Sequence, residues 1–127
     1  MAKKRLRWRK KPDQGDYAAA AAFLSLVATG DEVKGVVARL KRATTMLRKP
    51  KDLERASGVE LLPADDPLVK SEIKKSRSGK ALAPVLLVRG RLEAGHPLVI
   101  ADGYHRICAG FHVNEDAEIP CRVVDLP

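Results

Sequence analysis

The stretch from Leu98 to Ala109, which reads LVIADGYHRICA, constrains the fold of this chain more than any other feature of its sequence. Apolar residues typical of a buried strand, Leu98 to Ala101, run into an Asp-Gly pair. A pattern typical of a helix, Tyr104 to His112, begins directly after that pair. The stretch therefore predicts a strand, a tight turn and a helix in immediate succession, so the domain must contain both α and β structure.

Hydrophobic spacing elsewhere predicts helices before residue 58 and mixed elements after it. We expect strands at 59–62, 85–88, 98–101 and 119–124, and helices at 17–28, 32–47, 51–56, 67–76 and 104–112. Thr29 and Glu32 have the spacing of a capping box for the second helix. The predicted organisation is a basic flexible arm (1–15), a helical extension (16–58) and a small α+β core with a mixed sheet (59–127). A chain of 127 residues that is 45% hydrophobic and 31% charged can bury such a core, which excludes wholesale disorder.

The net charge of +8 is concentrated in the N-terminal half of the chain. Residues 1–11 contain seven Lys and Arg, no acidic residue and the aromatic Trp8. The helix predicted within 32–49 has a second basic face. Residues 3–11 and this helix could contact the phosphates of a nucleic acid. The alternatives are a solubilising terminus and an ordinary solvated helix face.

The apolar run Tyr17 to Ala28 is too short to cross a bilayer, so no membrane span is expected. Because it is apolar nearly all round, we expect it to pack on the next helix or on a second subunit, which would give a homo-oligomer. Two cysteines do not make a disulfide framework, which predicts a reducing, cytoplasmic location. Cys108 and Cys121 are expected to be small buried hydrophobes.

The turn at Gly103 has the composition of a phosphate site. The first backbone N–H groups of a helix lack intrahelical partners and lie at the positive end of its dipole, and a glycine lets an anion approach them. Arg106 can grip phosphate oxygens in a bidentate manner, and His105 can donate a hydrogen bond or move a proton. The alternative is a purely structural turn with a salt-bridged Arg106 and a packed His105. A metal site of His105, Cys108 and His112 with Cys121 matches no common zinc spacing, so none is expected.

Residues 59–127 resemble the core domain shared by ParB partition proteins and sulfiredoxins, through PVLLV, LVIADGYHRICA and IPCRVVDL in this order. Sulfiredoxins carry G-C-H-R, and ParB proteins G-E-R-R, where this chain has Gly103, Tyr104, His105 and Arg106. The resemblance implies a nucleotide, ATP or CTP, which can bring Mg²⁺ with it. It also implies that Ser76 and Lys70, on the preceding helix, contact the phosphates.

The chain departs from both families at informative positions. Sulfiredoxin chemistry needs a cysteine where Tyr104 stands, so sulfinic acid reduction is not expected. The partition motif has an arginine where His105 stands, so the resemblance does not select cytidine over other bases. ParB proteins carry a helical DNA-binding domain after this core, and the sequence ends at Pro127, which argues against a centromere-binding protein.

Two hypotheses about function follow. In the first, the protein is an NTP hydrolase or phosphotransferase in which Asp102 or His105 polarises the attacking group while Arg106 holds the γ-phosphate. In the second, it is a non-enzymatic nucleotide- or DNA-binding regulatory module that uses its basic N-terminal half. The sequence has no Walker loop and no second carboxylate with the spacing of a base, so it does not decide between them.

Overall fold

The computed structural model describes residues 5–126, which form five α-helices and a four-stranded mixed sheet, an α+β fold as predicted. The helices are α1 (Gln14–Leu24), α2 (Gly30–Arg42), α3 (Pro50–Ser57), α4 (Pro67–Arg77) and α5 (Tyr104–Asn114). The strands are β1 (Met46–Arg48), β2 (Val85–Val88), β3 (Val99–Asp102) and β4 (Ile119–Val124). Local signals fix several helix ends. Thr29 and Glu32 form the predicted capping box of α2, and Gly58, with a φ of 67°, ends α3.

The sheet has the order β1-β4-β2-β3. Strand β4 lies between β1, to which it is antiparallel, and β2, to which it is parallel. Strands β2 and β3 are antiparallel, with Leu87 opposite Ile100. Strands β2 and β4 are buried almost throughout because helices cover both faces of the sheet.

Helices α1 and α2 cover one face of the sheet, and α3 and α5 cover the other. Leu24, Val36 and Leu40 pack with Leu86 and Ala101 on the first face. On the second face, residues of α3 and α5 pack with the opposite side of β2 and β4, and α4 packs against α5. Helix α1 thus packs on α2 and on the sheet, as its apolar composition requires, and the predicted helical extension contributes to the same core as residues 59–127.

Three predicted elements differ from the structure. The first helix, predicted at 17–28, runs from Gln14 to Leu24. The second helix was expected to continue to Leu47, but it ends at Arg42, and Met46–Arg48 form the edge strand β1. The β-branched pair Thr44 and Thr45 favours extended backbone, and pairing with β4 outweighs the helical spacing. Residues 59–62 form no strand; Leu61 and Leu62 pack instead against the cluster between α4 and α5.

The basic N-terminal segment, predicted as a flexible arm, contacts the rest of the domain over the part that the structure describes. Trp8 forms a parallel β-bridge with Leu82, the N–H of Arg9 donates to the carbonyl of Leu82 (2.7 Å), and the N–H of Leu82 donates to the carbonyl of Arg7 (2.8 Å). Lys3 and Lys4 lie outside the described residues. Backbone pairing therefore holds Arg7 to Arg9 against the segment that leads into β2.

Both cysteines are buried and unpaired, which confirms the expectation that they act as small hydrophobes. Burial raises the pKa of both thiols, and that of Cys121 reaches about 11. Within residues 5–126, no helix has the length and apolar character needed to span a bilayer.

Candidate functional site

The turn between β3 and α5 is built around Gly103. Its φ of 106° lies in the left-handed region, where only glycine is unstrained, and a Cβ here would lie 2.5 Å from Cγ1 of Val85. Glycine thus lets the turn pack directly on β2. No described side chain caps the first turn of α5, so its first N–H groups have no capping partner among the described residues.

Arg106 lies in that first turn and is buried. Its Nη1 donates to the carbonyls of Ala83 (2.6 Å) and Pro84 (3.3 Å), and its Nη2 donates to Oδ2 of Asp102 (2.6 Å) and lies 3.7 Å from Oδ1 of Asp16. Protein acceptors therefore occupy the guanidinium. This geometry is that of the salt-bridged arginine in the alternative interpretation, rather than that of a free γ-phosphate ligand.

Asp102 and Asp16 form the acidic side of this cluster. Burial raises the pKa of Asp102, and the adjacent Asp16 carboxyl raises it further, while the charge and hydrogen bond of Arg106 act in the opposite direction. Asp16 is placed by the capping box of α1, in which its Oδ2 accepts the N–H of Asp13 (2.7 Å). Because Asp102 holds Arg106, its role in the folded protein is to position that arginine.

A pocket of about 470 Å³ opens in front of the first turn of α5. Its walls are the backbone of 81–83, the turn from Asp102 to Arg106 and charged side chains from three other segments: Arg9, Asp13, Asp16, Glu72, Lys75 and Lys80. Arg9 pairs with Asp13 at 2.6 Å, and Lys75 pairs with Glu72 at 3.5 Å. Among the pocket's described side chains, Lys80 and His105 have no hydrogen-bond or ion-pair partner.

Tyr104 and His105 have neighbouring rings, but only the tyrosine has a hydrogen-bond partner among the described residues. The Tyr104 hydroxyl donates to the carbonyl of Glu60, and burial is the main cause of the raised pKa of this tyrosine. His105 is half-buried, with its ring centroid 5.2 Å from that of Tyr104. Both residues line the pocket, but only the imidazole can offer it a polar group without breaking a hydrogen bond.

Ser76 and Lys70 are not brought to the pocket. The Ser76 hydroxyl is buried beneath the N-terminal segment, where it accepts the N–H of Arg7 and donates to the carbonyl of the same residue (3.3 Å). Lys70 is exposed on α4 and does not line the pocket. The lysines that line the pocket from this part of the chain are instead Lys75 and Lys80.

Sequence reasoning missed Lys75, Lys80 and Asp16, and it did not connect Arg9, part of the basic segment, with this pocket. The turn at Gly79, whose φ is 97°, returns the chain so that the N–H of Lys80 donates to the carbonyl of Lys75 (3.0 Å), which places both lysines on one wall. The Lys-Ser-Arg-Ser-Gly-Lys composition at 75–80 was a usable signal for that wall. Nothing in the local sequence links Asp16 to Arg106.

The residues weighed as metal ligands, His105, Cys108, His112 and Cys121, form no cluster in the described part of the chain. Within residues 5–126, no three His, Cys, Asp or Glu side chains lie close enough together to hold a metal ion. Nε2 of His112 lies 2.6 Å from the carbonyl oxygen of Leu62, and Cys108 is buried against α4.

Comparisons with known proteins add no relative, because no family model, curated protein or solved structure matches the chain. The likeness of residues 59–127 to the ParB and sulfiredoxin core therefore rests on the motif residues themselves and stays a prediction.

Proposed function

We propose that this protein has a ParB/sulfiredoxin-like core and binds a nucleotide or another phosphate compound in the pocket at the start of α5. One observation carries the proposal: the uncapped first turn of α5 opens into a pocket of about 470 Å³ that also holds Lys75, Lys80 and His105. Unpaired helical N–H groups and the positive end of a helix dipole attract anions, and nearby lysines add charge. Pockets for small ligands are typically ~300–1,000 Å³, so the space suits a molecule of this class.

The roles differ from those implied by the motif alone. The N–H groups of the first turn, the Lys80 ammonium and the His105 imidazole would contact the phosphates directly. Arg106 and Asp102 would act as positioning residues that hold the turn in place. Lys75 would join the phosphate contacts by exchanging Glu72 for a ligand oxygen.

The charges of the pocket favour a metal-bound nucleotide over free phosphate. Four acidic and four basic side chains line it: Asp13, Asp16, Glu72 and Asp102, and Arg9, Lys75, Lys80 and Arg106. A bare polyanion would meet little excess positive charge. Mg²⁺ is usually bound by one or two carboxylates together with substrate phosphates, and the pocket carboxylates fit that mode. Mg²⁺ would therefore enter with ATP or CTP and neutralise part of its charge.

Hydrolysis or phosphoryl transfer would depend on His105. Asp102 is held by Arg106, so the imidazole is the pocket group best able to accept or donate a proton near neutral pH. Mg²⁺-dependent release of phosphate from ATP or CTP that is lost in His105→Ala, while nucleotide binding persists, would make the protein an enzyme. Binding without turnover would make it a nucleotide-binding module.

Titration calorimetry on adjacent lysines tests the site. Lys75 lines the pocket and Lys74, its neighbour on α4, does not, so Lys75→Ala and Lys74→Ala remove the same charge at different places. We expect Lys75→Ala and Lys80→Ala each to weaken Mg-nucleotide binding by roughly 10-fold, or ~1.4 kcal/mol, and Lys74→Ala to change it less than about 2-fold. Wild-type protein that binds neither ATP, CTP nor phosphate, or equal losses in all three variants, would overturn the proposal.

A further inference from the structure

A second groove, of about 590 Å³, lies between the N-terminal segment and the start of β1. Trp8, Lys10 and Lys11 form one wall, and Thr45 and Leu47 form the other. Arg9 borders both this groove and the pocket at α5, but the grooves share no other residue. The feature is therefore separate from the proposed nucleotide site.

The backbone of the N-terminal segment is fixed while its cationic side chains are exposed. Trp8 is bridged to Leu82, and the Thr45 hydroxyl donates to the carbonyl of Lys10 (3.0 Å). These contacts involve the main chain of Lys10 and leave its ammonium in solvent. Lys10 and Lys11 are exposed, and neither side chain has a hydrogen-bond or ion-pair partner among residues 5–126.

The charge on this wall is of one sign. Residues 5–11 include five basic side chains and no acidic one, and only Arg9 of the five forms an ion pair there. Glu118 is the one acidic side chain among the described residues that line the groove. Such a strip attracts a polyanion whose phosphates can displace counterions from several cations at once.

Trp8 adds an aromatic surface to the basic strip. The ring packs on the core cluster of α3, α5 and the sheet, is only partly buried, and lines the groove beside Leu47, which is 52% exposed. A fixed aromatic ring next to cations is the arrangement on which unpaired bases stack while their phosphates are neutralised. Bases in a duplex are already stacked on their neighbours and cannot use the ring in this way.

We propose that this groove binds single-stranded nucleic acid, with phosphates on Lys10 and Lys11 and one base stacked on Trp8. This function is independent of the nucleotide pocket at α5, because Lys75 and Lys80 lie outside the groove.

The fluorescence of Trp8 reports directly on the site because the chain has a single tryptophan. Oligothymidine and oligouridine of ~12 nucleotides, within the ~4–16 nucleotides typical of such sites, are titrated into the full chain. We expect both oligomers to quench the fluorescence of Trp8. A plot of the logarithm of the binding constant against the logarithm of the salt concentration should have a slope of about −0.7 for each phosphate neutralised. The two oligomers distinguish a DNA from an RNA ligand of the same chemistry.

A matched pair of charge reversals locates the binding. The test variant carries Lys10→Glu and Lys11→Glu, both in the groove. The control variant carries Arg55→Glu and Lys74→Glu, which change the net charge by the same amount outside the groove. We expect the first pair to weaken binding at least ~10-fold and to reduce the salt slope by about 1.4, and the second to change affinity less than about 3-fold. Equal losses in both pairs would overturn the proposal, since net charge alone would then explain binding.

Two further ligands test the base contact. Inorganic polyphosphate has no bases, so it should bind more weakly than oligothymidine and leave the emission of Trp8 unchanged. A duplex of equal length should also quench less. Equal quenching by polyphosphate, or tighter binding of the duplex, would refute stacking on Trp8, whatever the outcome for the nucleotide pocket.

Discussion

Arg106 and Arg122 are both buried arginines, but the structure neutralises their charges in opposite ways. Arg106, at the start of α5, is held by the carboxylate of Asp102, with Asp16 nearby. Arg122, on β4, has no carboxylate within ion-pair distance among residues 5–126. Its acceptors are neutral: the carbonyls of Leu40 (3.0 Å) and Lys41 (3.1 Å), the Tyr17 hydroxyl (3.1 Å) and Oγ1 of Thr45 (3.1 Å).

The ends of helices account for this difference. Leu40 and Lys41 belong to the last turn of α2, whose free carbonyls form the negative end of the helix dipole, so a cation is stabilised there without a counter-ion. Arg106 lies at the positive end of α5, where a cation is disfavoured and needs carboxylates. Consequently, of the two sites within residues 5–126, only that of Arg106 contains carboxyl groups, Asp102 and Asp16.

Removing Arg106 should have the largest effect of the variants considered. Arg106→Met leaves the carboxylate of Asp102 buried without its cation, which should lower the free energy of unfolding by ~3–5 kcal/mol at pH 7. The exposed pair Arg89–Asp125 supplies the control, because Arg89→Met should cost less than ~1 kcal/mol. Urea denaturation of the two variants measures both costs; similar values would mean that the buried ion pair has no special role.

The cost of Arg106→Met should depend on pH. The pKa of Asp102 is raised in the folded protein, so folding favours the protonated carboxyl. This contribution to the free energy of unfolding is fully present below the pKa of the unfolded chain, ~3.9, and is lost as pH rises through the pKa of the folded protein. Without Arg106 the folded pKa rises further, and the loss with rising pH is greater. The cost should therefore shrink as pH falls from 7 towards 4, and a constant cost would show that Asp102 does not sense Arg106.

Arg122→Met should cost less and should not vary with pH. It leaves neutral acceptors unpaired at the end of α2 and on Tyr17 and Thr45, which should lower the free energy of unfolding by ~2–4 kcal/mol. Since no carboxylate faces this guanidinium, the cost measured by urea denaturation should be the same at pH 4.5 and pH 7. A cost that falls in acid, as expected for Arg106→Met, would show that the two sites do not differ in the way described.

Gly103→Ala tests the turn that places Arg106. The new Cβ would meet Val85 at 2.5 Å in a strained backbone conformation, and we expect a cost of ~2–3 kcal/mol. Gly95 also has a positive φ, of 69°, but a Cβ there meets nothing within 4 Å. Gly95→Ala should therefore cost only ~1 kcal/mol in thermal unfolding. Equal costs for the two variants would mean that the positive φ alone causes the loss of stability and that the contact with Val85 on β2 adds nothing.

Within the Arg122 cluster, the smallest effect should come from Tyr17→Phe. This change removes one of the four acceptors of Arg122 and leaves the ring packed against the core, so we expect a loss of ~1 kcal/mol. Tyr104→Phe removes a hydroxyl whose bond to Glu60 is exposed and should cost less. A larger loss for Tyr104→Phe in thermal unfolding would mean that the Arg122 cluster tolerates the removal of one partner.

The sequence predicted those parts of the molecule that depend on local chemistry. The strand, the Gly103 turn and the helix at 98–112 follow from residues adjacent in the chain, as do the cap at Thr29 and the end of α3 at Gly58. The edge strand β1, Met46–Arg48, was not predictable from the local sequence. Its conformation depends on pairing with β4, which lies far along the chain.

The partners of the motif residues were equally hidden in the sequence. The local sequence allows Arg106 either to bind a phosphate or to pair with Asp102, four residues before it, and only the packing of α1 beside β3 brings Asp16 close as well. Ser76 likewise ends a helix as the resemblance requires, but the backbone of Arg7 takes its hydroxyl. In both cases a contact between distant segments occupies the group that the motif offers.

The order of the strands has a consequence for synthesis on the ribosome. Strand β4 is the last strand of the described chain, but it lies inside the sheet between β1 and β2. A nascent chain that has released β1, β2 and β3 can already pair β2 with β3, but it still lacks the strand that joins β1 to this pair. One edge of β1 and one edge of β2 therefore stay unpaired until β4 is available. Until Ile119–Val124 leave the ribosome, the nascent chain would expose apolar strands to which chaperones can bind. The sheet would then be completed in one late step, when β4 inserts between β1 and β2.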